Sequence, residues 1–196
     1  MPQTASSRRK EEPVLAPNAR DIEGVRSHRL NPAGDIRGSL VEIHRDSWSL
    51  SRRPLQWDFI FTRPCVLRGA HVHRLRFDYM VVVDGRARIG LTDIRRDSPT
   101  FRQGIAIEVS GTEPEVIVIP PGVVHSIYAH SAMSYLYGLT AYYDGTDQLG
   151  CRYDDPGLGV AWPDRDPVQI ERDAALPDFE TLIRQFEDAG GVAVTD

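Results

Sequence analysis

From Asp35 onward, apolar and polar positions alternate over short stretches separated by glycine and proline. Leu40, Glu42 and His44 alternate with Val41 and Ile43, and residues 56–61 run aromatic and β-branched. A two-residue period puts successive side chains on opposite faces, so both stretches predict strands. Residues 79–94, YMVVVDGRARIGLTDI, predict two strands joined at Asp84-Gly85, a dipeptide suited to a hairpin turn. Residues 115–120, EVIVIP, predict another strand ended by Pro120-Pro121-Gly122, and residues 127–143 predict a further pair. A helical period stands out near the C-terminus. There Pro177-Asp178 opens a segment with Phe179, Leu182, Ile183 and Phe186 on one stripe before Gly190-Gly191. Many short strands with one helix predict an all-β fold, a closed or sandwiched antiparallel sheet.

Residues 1–28 carry SSRRKEEP and no periodicity, which predicts a flexible N-terminal lead-in. A barrel is expected over 29–170, with the C-terminal helix and tail in 171–196, and neither an internal repeat nor a second domain is visible. Apolar runs fall short of the roughly 20 residues that span a bilayer, so no membrane partner is expected. Cys65 and Cys151 form neither a disulfide framework nor a zinc-type pair, which fits reduced thiols in a cytoplasmic protein. A net charge of −5 argues against a nucleic-acid partner. It does not exclude an anionic small molecule, because a few arginines in one pocket outweigh a distant average. Of the 23 basic residues only Lys10 is a lysine, so no mechanism requiring a core lysine is open to this chain.

The histidines narrow the chemistry. His71 and His73 sit two apart in a β-rich stretch, which on a strand puts both rings on one face. Asp78 follows at the start of the next strand, and His125 comes after the PPGVV turn. Two histidines on one face, a carboxylate nearby and a third histidine on another strand form a candidate divalent-metal set. His28, His44 and His130 lack such company and read as structural or surface residues.

The stretches GAHVHRLRFDYMVVVDG and PPGVVH resemble the two cupin motifs, with Asp78 at the usual glutamate position. A more extensive resemblance is to the dTDP-4-dehydrorhamnose 3,5-epimerases. It is carried by Asp35-Ile36-Arg37-Gly38 with Glu42, by residues 66–71 (VLRGAH), by Asp93-Ile94-Arg95 with Ser98-Pro99-Thr100-Phe101, and by Ile119-Pro120-Pro121-Gly122 with His125. Tyr135-Leu136-Tyr137, Tyr142-Tyr143, Asp154-Asp155 and Trp162-Pro163 complete the series, in order from about residue 35 to 165. The resemblance implies a cupin jelly-roll barrel and an isomerase that removes a proton next to the ketone of a nucleotide-linked 4-keto-6-deoxysugar, then returns it to the opposite face. It implies His71 as the base, Asp155 as its carboxylate partner and Tyr137 as the proton-returning phenol. Imidazole suits the first role because its ordinary pKa lies near neutrality. Arg37, Glu42, Gln56, Arg68, His125 and Tyr143 match substrate-binding positions, and a homodimer is implied.

The chain also departs from that family. Asp78 stands where the family usually has a pocket lysine, His73 where it has a non-ligand such as glutamine, and Asp58 where it has asparagine. Replacing an ammonium by a carboxylate beside a developing enolate is costly: a unit-charge contact near 4 Å is worth about 4 kcal/mol at an effective dielectric near 20. Compensation by Arg74 or Arg76 requires that one of them point inward. The alternative is a divalent ion held by His71, His73, Asp78 and His125, which would polarise the ketone directly. His71 cannot both ligate and act as base through one nitrogen. Three functions therefore stand at this stage: an epimerase that requires no cofactor, a metal-dependent cupin enzyme on another small polar substrate, and a non-catalytic sugar-binding barrel.

Overall fold

The computed structural model describes residues 22–192. It contains twelve strands numbered in chain order: β1 (Arg26–Arg29), β2 (Ala33–Asp35), β3 (Gly38–Leu40), β4 (Gln56–Thr62), β5 (Leu67–Val72), β6 (Asp78–Asp84), β7 (Arg86–Asp93), β8 (Gly104–Ser110), β9 (Glu115–Ile119), β10 (Val123–Ala129), β11 (Met133–Leu139) and β12 (Leu149–Gly150). Two helices follow, α1 (Glu171–Ala174) and α2 (Phe179–Asp188). Ten strands form two antiparallel five-stranded sheets, one in the order β1-β9-β6-β11-β4 and the other β12-β5-β10-β7-β8. This is the cupin jelly roll expected from the sequence.

Alternation along each strand decides what each sheet buries. On β6, Met80 and Val82 join Ile117 and Ile119 of β9 in the core between the sheets, against Ile89, Leu91, Val123 and Ile127. Tyr79 and Val81, with Val116 and Val118, turn to the outer face of the first sheet, where Leu30, Leu50 and Trp48 cover them. Ala70, Val72 and Val124 face out of the second sheet and pack under α2. The stripe predicted for α2 is the one it buries: Phe179, Leu182, Ile183 and Phe186. Asp178 caps the helix by accepting the Thr181 N–H at 2.7 Å.

Four local expectations change. Asp84-Gly85 is a tight turn, with Gly85 at φ 83°, but β6 and β7 lie in different sheets, so the chain crosses the sandwich there rather than forming a hairpin. A side chain at Gly85 would sit 2.4 Å from the Ala132 carbonyl. The pair expected in 127–143 is likewise split, β10 in one sheet and β11 in the other. Both patterns reflect a strand buried on two faces, which a strand crossing to the other sheet satisfies as well as a hairpin does. Of Leu40–His44 only Leu40 belongs to a strand, because β2 and β3 form a small exposed hairpin apart from the sheets. Residues 1–21 of the expected lead-in lie outside those described. Its last part is structured, however: Ile22 is buried in the core and β1 pairs with β9.

Candidate active site

The second sheet brings two histidines together. His71 on β5 and His125 on β10 are register partners, and their neighbours Ala70, Val72 and Val124 face outward, so both rings face inward. Gly69 makes this close approach feasible: at φ 120°, a side chain there would lie 2.8 Å from the His125 carbonyl oxygen. From the first sheet, Asp78 at the start of β6 and Tyr137 on β11 project toward them. They are diagonal neighbours, since Tyr137 registers with Met80 and Leu139 with Asp78. The resulting cavity, about 260 Å³, is lined by His71, His73, Arg76, His125 and Tyr137, with Asp58, Arg68, Tyr143, Gln148 and Arg172 among the others.

His71 lies 3.0 Å through Nε2 from the Asp173 carboxylate, with the imidazole 15 % exposed and the carboxylate 4 %. Asp173 also accepts the Gly69 N–H at 3.4 Å and the Arg172 guanidinium at 3.2 Å. Burial alone would raise its carboxyl, but the hydrogen bond and charge of His71 and the Gly69 and Arg172 contacts hold it below the ordinary carboxylate value. A carboxylate accepting from Nε2 fixes the proton there and leaves the lone pair on Nδ1.

Asp155, expected to pair with His71, is elsewhere. It caps the 3-10 turn Pro156–Leu158 by accepting the Gly157 N–H at 2.9 Å, and it ties that turn to α2 by accepting the Phe179 N–H at 3.0 Å. Its carboxylate is committed to backbone, and the carboxylate beside His71 is that of Asp173. Sequence reasoning missed Asp173 because the contact joins residues 102 positions apart. The available local signal was a carboxylate leading into Ala174-Ala175-Leu176, an acid seated in an apolar turn.

Asp78 is the centre of a second cluster. Its Oδ1 accepts from Arg76 Nε at 3.0 Å, and its Oδ2 accepts from the Tyr137 hydroxyl at 2.7 Å. His73 and His125 each bring Nε2 to 3.3 Å from the same Oδ2, and His125 Nε2 is 3.1 Å from the Tyr137 hydroxyl. The His73 ring is fixed from both sides: Nδ1 donates to the Asp147 carbonyl, and Nε2 accepts from Arg76 Nη2 at 2.9 Å. Burial, aided by His125 and Arg76 and opposed by Asp78, pushes His73 down to about 3, so its ring is neutral. Burial also lowers His125 against the pull of Asp78. For Asp78, burial pushes upward, but His73, His125, Arg76 and the Tyr137 hydrogen bond keep the carboxyl below its usual value. Burial and the Asp78 charge raise the Tyr137 phenol well above its ordinary value.

The four-residue metal set therefore does not assemble. His73, Asp78 and His125 offer ligand atoms within 4.8 Å of one another, but His71 is turned to Asp173. The remaining three donors are already engaged by protein groups. His73 Nε2 and Asp78 Oδ1 both accept hydrogen bonds from Arg76, so an ion held by this triad would have to take the His73 lone pair from the guanidinium.

The remaining expected residues divide. Arg68 and Tyr143 line the cavity, with Arg68 steadied by the Thr62 hydroxyl at 3.1 Å. Gln56 stands one step back, donating to Asp58 at 3.1 Å and accepting the Tyr143 N–H at 3.0 Å. Arg37 and Glu42 do not line the cavity. Arg37 lies at the exposed turn between β2 and β3, paired with Asp35, and Glu42 is exposed and paired with Arg45.

Comparison with known proteins places this geometry in a family. The family model for dTDP-4-dehydrorhamnose 3,5-epimerase matches residues 19–181. The chain belongs to that family. Among curated relatives, the dTDP-4-dehydrorhamnose 3,5-epimerase of Streptomyces griseus is 31% identical over 174 residues, covering 84% of this chain and 86% of the relative. The spore coat polysaccharide biosynthesis protein SpsL of Bacillus subtilis is 28% identical over 145 residues, covering 72% of this chain and 96% of its own. The solved structure of dTDP-6-deoxy-D-glucose-3,5-epimerase from Legionella pneumophila, in complex with dTDP-4-keto-L-rhamnose, superposes with a TM-score of 0.77 at 27% identity over 90% of this chain and 96% of that one. Family membership makes this chain a sugar epimerase, an enzyme of the isomerase class. Among the described residues no helix is long and apolar enough to cross a membrane.

Proposed function

We propose that this epimerase acts on a nucleotide-linked 4-keto-6-deoxysugar, with His71 as base, Asp173 as its carboxylate partner and Tyr137 as the proton donor across the ring. The observation that carries this reading is the placement of His71 on the second sheet, backed by Asp173 from α1, opposite Tyr137 on the first sheet around one cavity. His71 removes the proton next to the ketone. The C–H electron pair moves into an enolate, and an acid on the far wall returns a proton to the opposite face. Asp173 stabilises the imidazolium formed in the first step. Arg68 and Arg172, both exposed at the cavity, suit a diphosphate bridge. The reaction balances without an oxidant or a cofactor. Incubation with a dTDP-4-keto-6-deoxysugar in D2O, read by NMR, tests the reading: deuterium at carbon 3, carbon 5 or both is expected, and none at either removes it.

The working unit proposed is a homodimer. The hairpin β2–β3 exposes Ile36 and Leu40, and the edge strand β4 exposes Phe59 and Phe61. A second copy seated on this surface would cover these residues and bring Arg37 and Glu42 toward a neighbouring cavity. Light scattering coupled to gel filtration should return twice the mass of one chain; a monomer at micromolar concentration ends this part. Two unpaired cysteines, one exposed and one buried, fit a reducing compartment such as the cytoplasm.

A further inference from the structure

Removing a proton next to a ketone places negative charge on the ketone oxygen, and the site must meet that charge with a positive group held ready in a poorly solvated place. Three arginines line the cavity, Arg68, Arg76 and Arg172. Arg68 and Arg172 are exposed, where water screens them. Arg76 is 4 % exposed, and among the described residues it alone of the arginines is buried. Its guanidinium is held at Nε by Asp78 and at Nη2 by His73, and it lies over the Tyr143 ring at 5.6 Å.

The loop carrying Arg76 is equally fixed. The Asp147 carboxylate accepts the Arg74 and Leu75 N–H groups at 2.8 and 3.0 Å, and the Thr140 hydroxyl accepts the Phe77 N–H at 2.9 Å. Such a group needs no reorganisation when charge develops, which is the property that makes fixed donors effective. Neutralising Asp78 requires one side of the guanidinium. That role alone would not require the cation to line the cavity that also holds the His71 ring.

We propose that Arg76 is a catalytic residue whose guanidinium binds the ketone oxygen and stabilises the enolate formed when His71 takes the neighbouring proton. This rests on the epimerase reading above. In the first step the carbon–hydrogen bond breaks, the proton goes to His71, and the electron pair becomes the carbon–carbon double bond of an enolate whose oxygen faces Arg76. In the second, a proton from the opposite face restores the ketone, and nothing is oxidised or reduced.

The test compares Asp78→Asn, which keeps the cation beside a neutral partner, with the double variant R76Q/D78N, which removes both charges together and so leaves no unpaired buried carboxylate. Circular dichroism and thermal denaturation establish folding, and deuterium exchange with a dTDP-4-keto-6-deoxysugar gives kcat and KM. The double variant should lose about 100-fold or more in kcat relative to Asp78→Asn, with KM little changed. Equal kcat in the two overturns the proposal. If the double variant does not fold, Arg76→Lys decides. Lysine keeps a cation for Asp78 but not the two-pronged reach of the guanidinium, so kcat should fall about tenfold or more at unchanged melting temperature. An unaltered kcat in Arg76→Lys overturns the proposal equally. Absence of exchange in the wild type ends the epimerase reading and this proposal together. Wild-type exchange that persists undiminished in the double variant ends this proposal alone.

Discussion

The cavity holds two histidine–carboxylate units that look alike in composition and differ in setting. His71 and Asp173 pair at the cavity wall with the imidazole partly exposed, so one ring nitrogen keeps its lone pair for chemistry. His73, His125 and Asp78 are buried, and every polar contact is answered inside the cluster by Arg76, Tyr137 or backbone carbonyls. A histidine held between two partners positions others; a histidine held by one partner can act. The difference lies in how many of the ring's two nitrogens are already committed.

The largest effect expected from breaking the first unit is His71→Ala. Loss of the proposed general base should lower turnover by about 10³-fold or more while the melting temperature stays near the wild-type value. A variant within tenfold of wild type would move the base elsewhere. Asp173→Asn should come next, with kcat down about 100-fold, because the amide cannot stabilise the imidazolium. Its control is Asp155→Ala, which should cost about 1 kcal/mol of stability through the lost turn cap and leave turnover per folded molecule unchanged. If the Asp155 variant loses turnover and the Asp173 variant does not, the assignment of partners reverses.

Acid sharpens the contrast from the other side. His73 binds its proton at about 3 when folded and near 6.5 when unfolded, so between these values the unfolded chain holds the extra proton. Stability contributed by the neutral ring is complete above pH 6.5 and falls as the pH drops toward 3. The slope approaches about 1.4 kcal/mol per pH unit for this one group. Asp78 acts in the same direction, since its lowered carboxyl contributes above the ordinary carboxylate range and is lost on protonation. Melting temperatures across pH 4 to 8 should show the decline, and His73→Gln should flatten it. The smallest effect expected is Arg37→Ala. If the hairpin reaches a second copy, KM should rise a few-fold with kcat nearly constant, a loss of about 1 kcal/mol or less.

The fold was legible because β6, β9 and β10 carry short apolar, β-branched runs bounded by glycine and proline, which suit strands buried on both faces. What such runs do not show is which sheet a strand joins, and so Asp84-Gly85 reads as a hairpin. His71, His73, Asp78 and His125 are singled out by their spacing on or beside strands, whereas Tyr137 is singled out only by the family resemblance. Asp173 is not singled out at all, and Arg76 only as an alternative to Arg74. Asp173 is delivered by a single helical turn, and Arg76 by a loop, where no period exists. Between Arg76 and Arg74 the clasp from Asp147 decides: it holds the Arg74 backbone while Arg76 turns inward. Arg74 instead bonds the Gly191 carbonyl at 2.8 Å.

That clasp relocates control of the pocket. Asp147 and Thr140 sit at either end of the connection between β11 and β12, which also supplies Tyr143 and Gln148 to the cavity. Changes in this one connection would shift the buried cation and two wall side chains at once, while both sheets stayed as they are. Recombining residues 140–148 with the matching segment of a relative therefore offers a compact handle for retuning which sugars the barrel accepts.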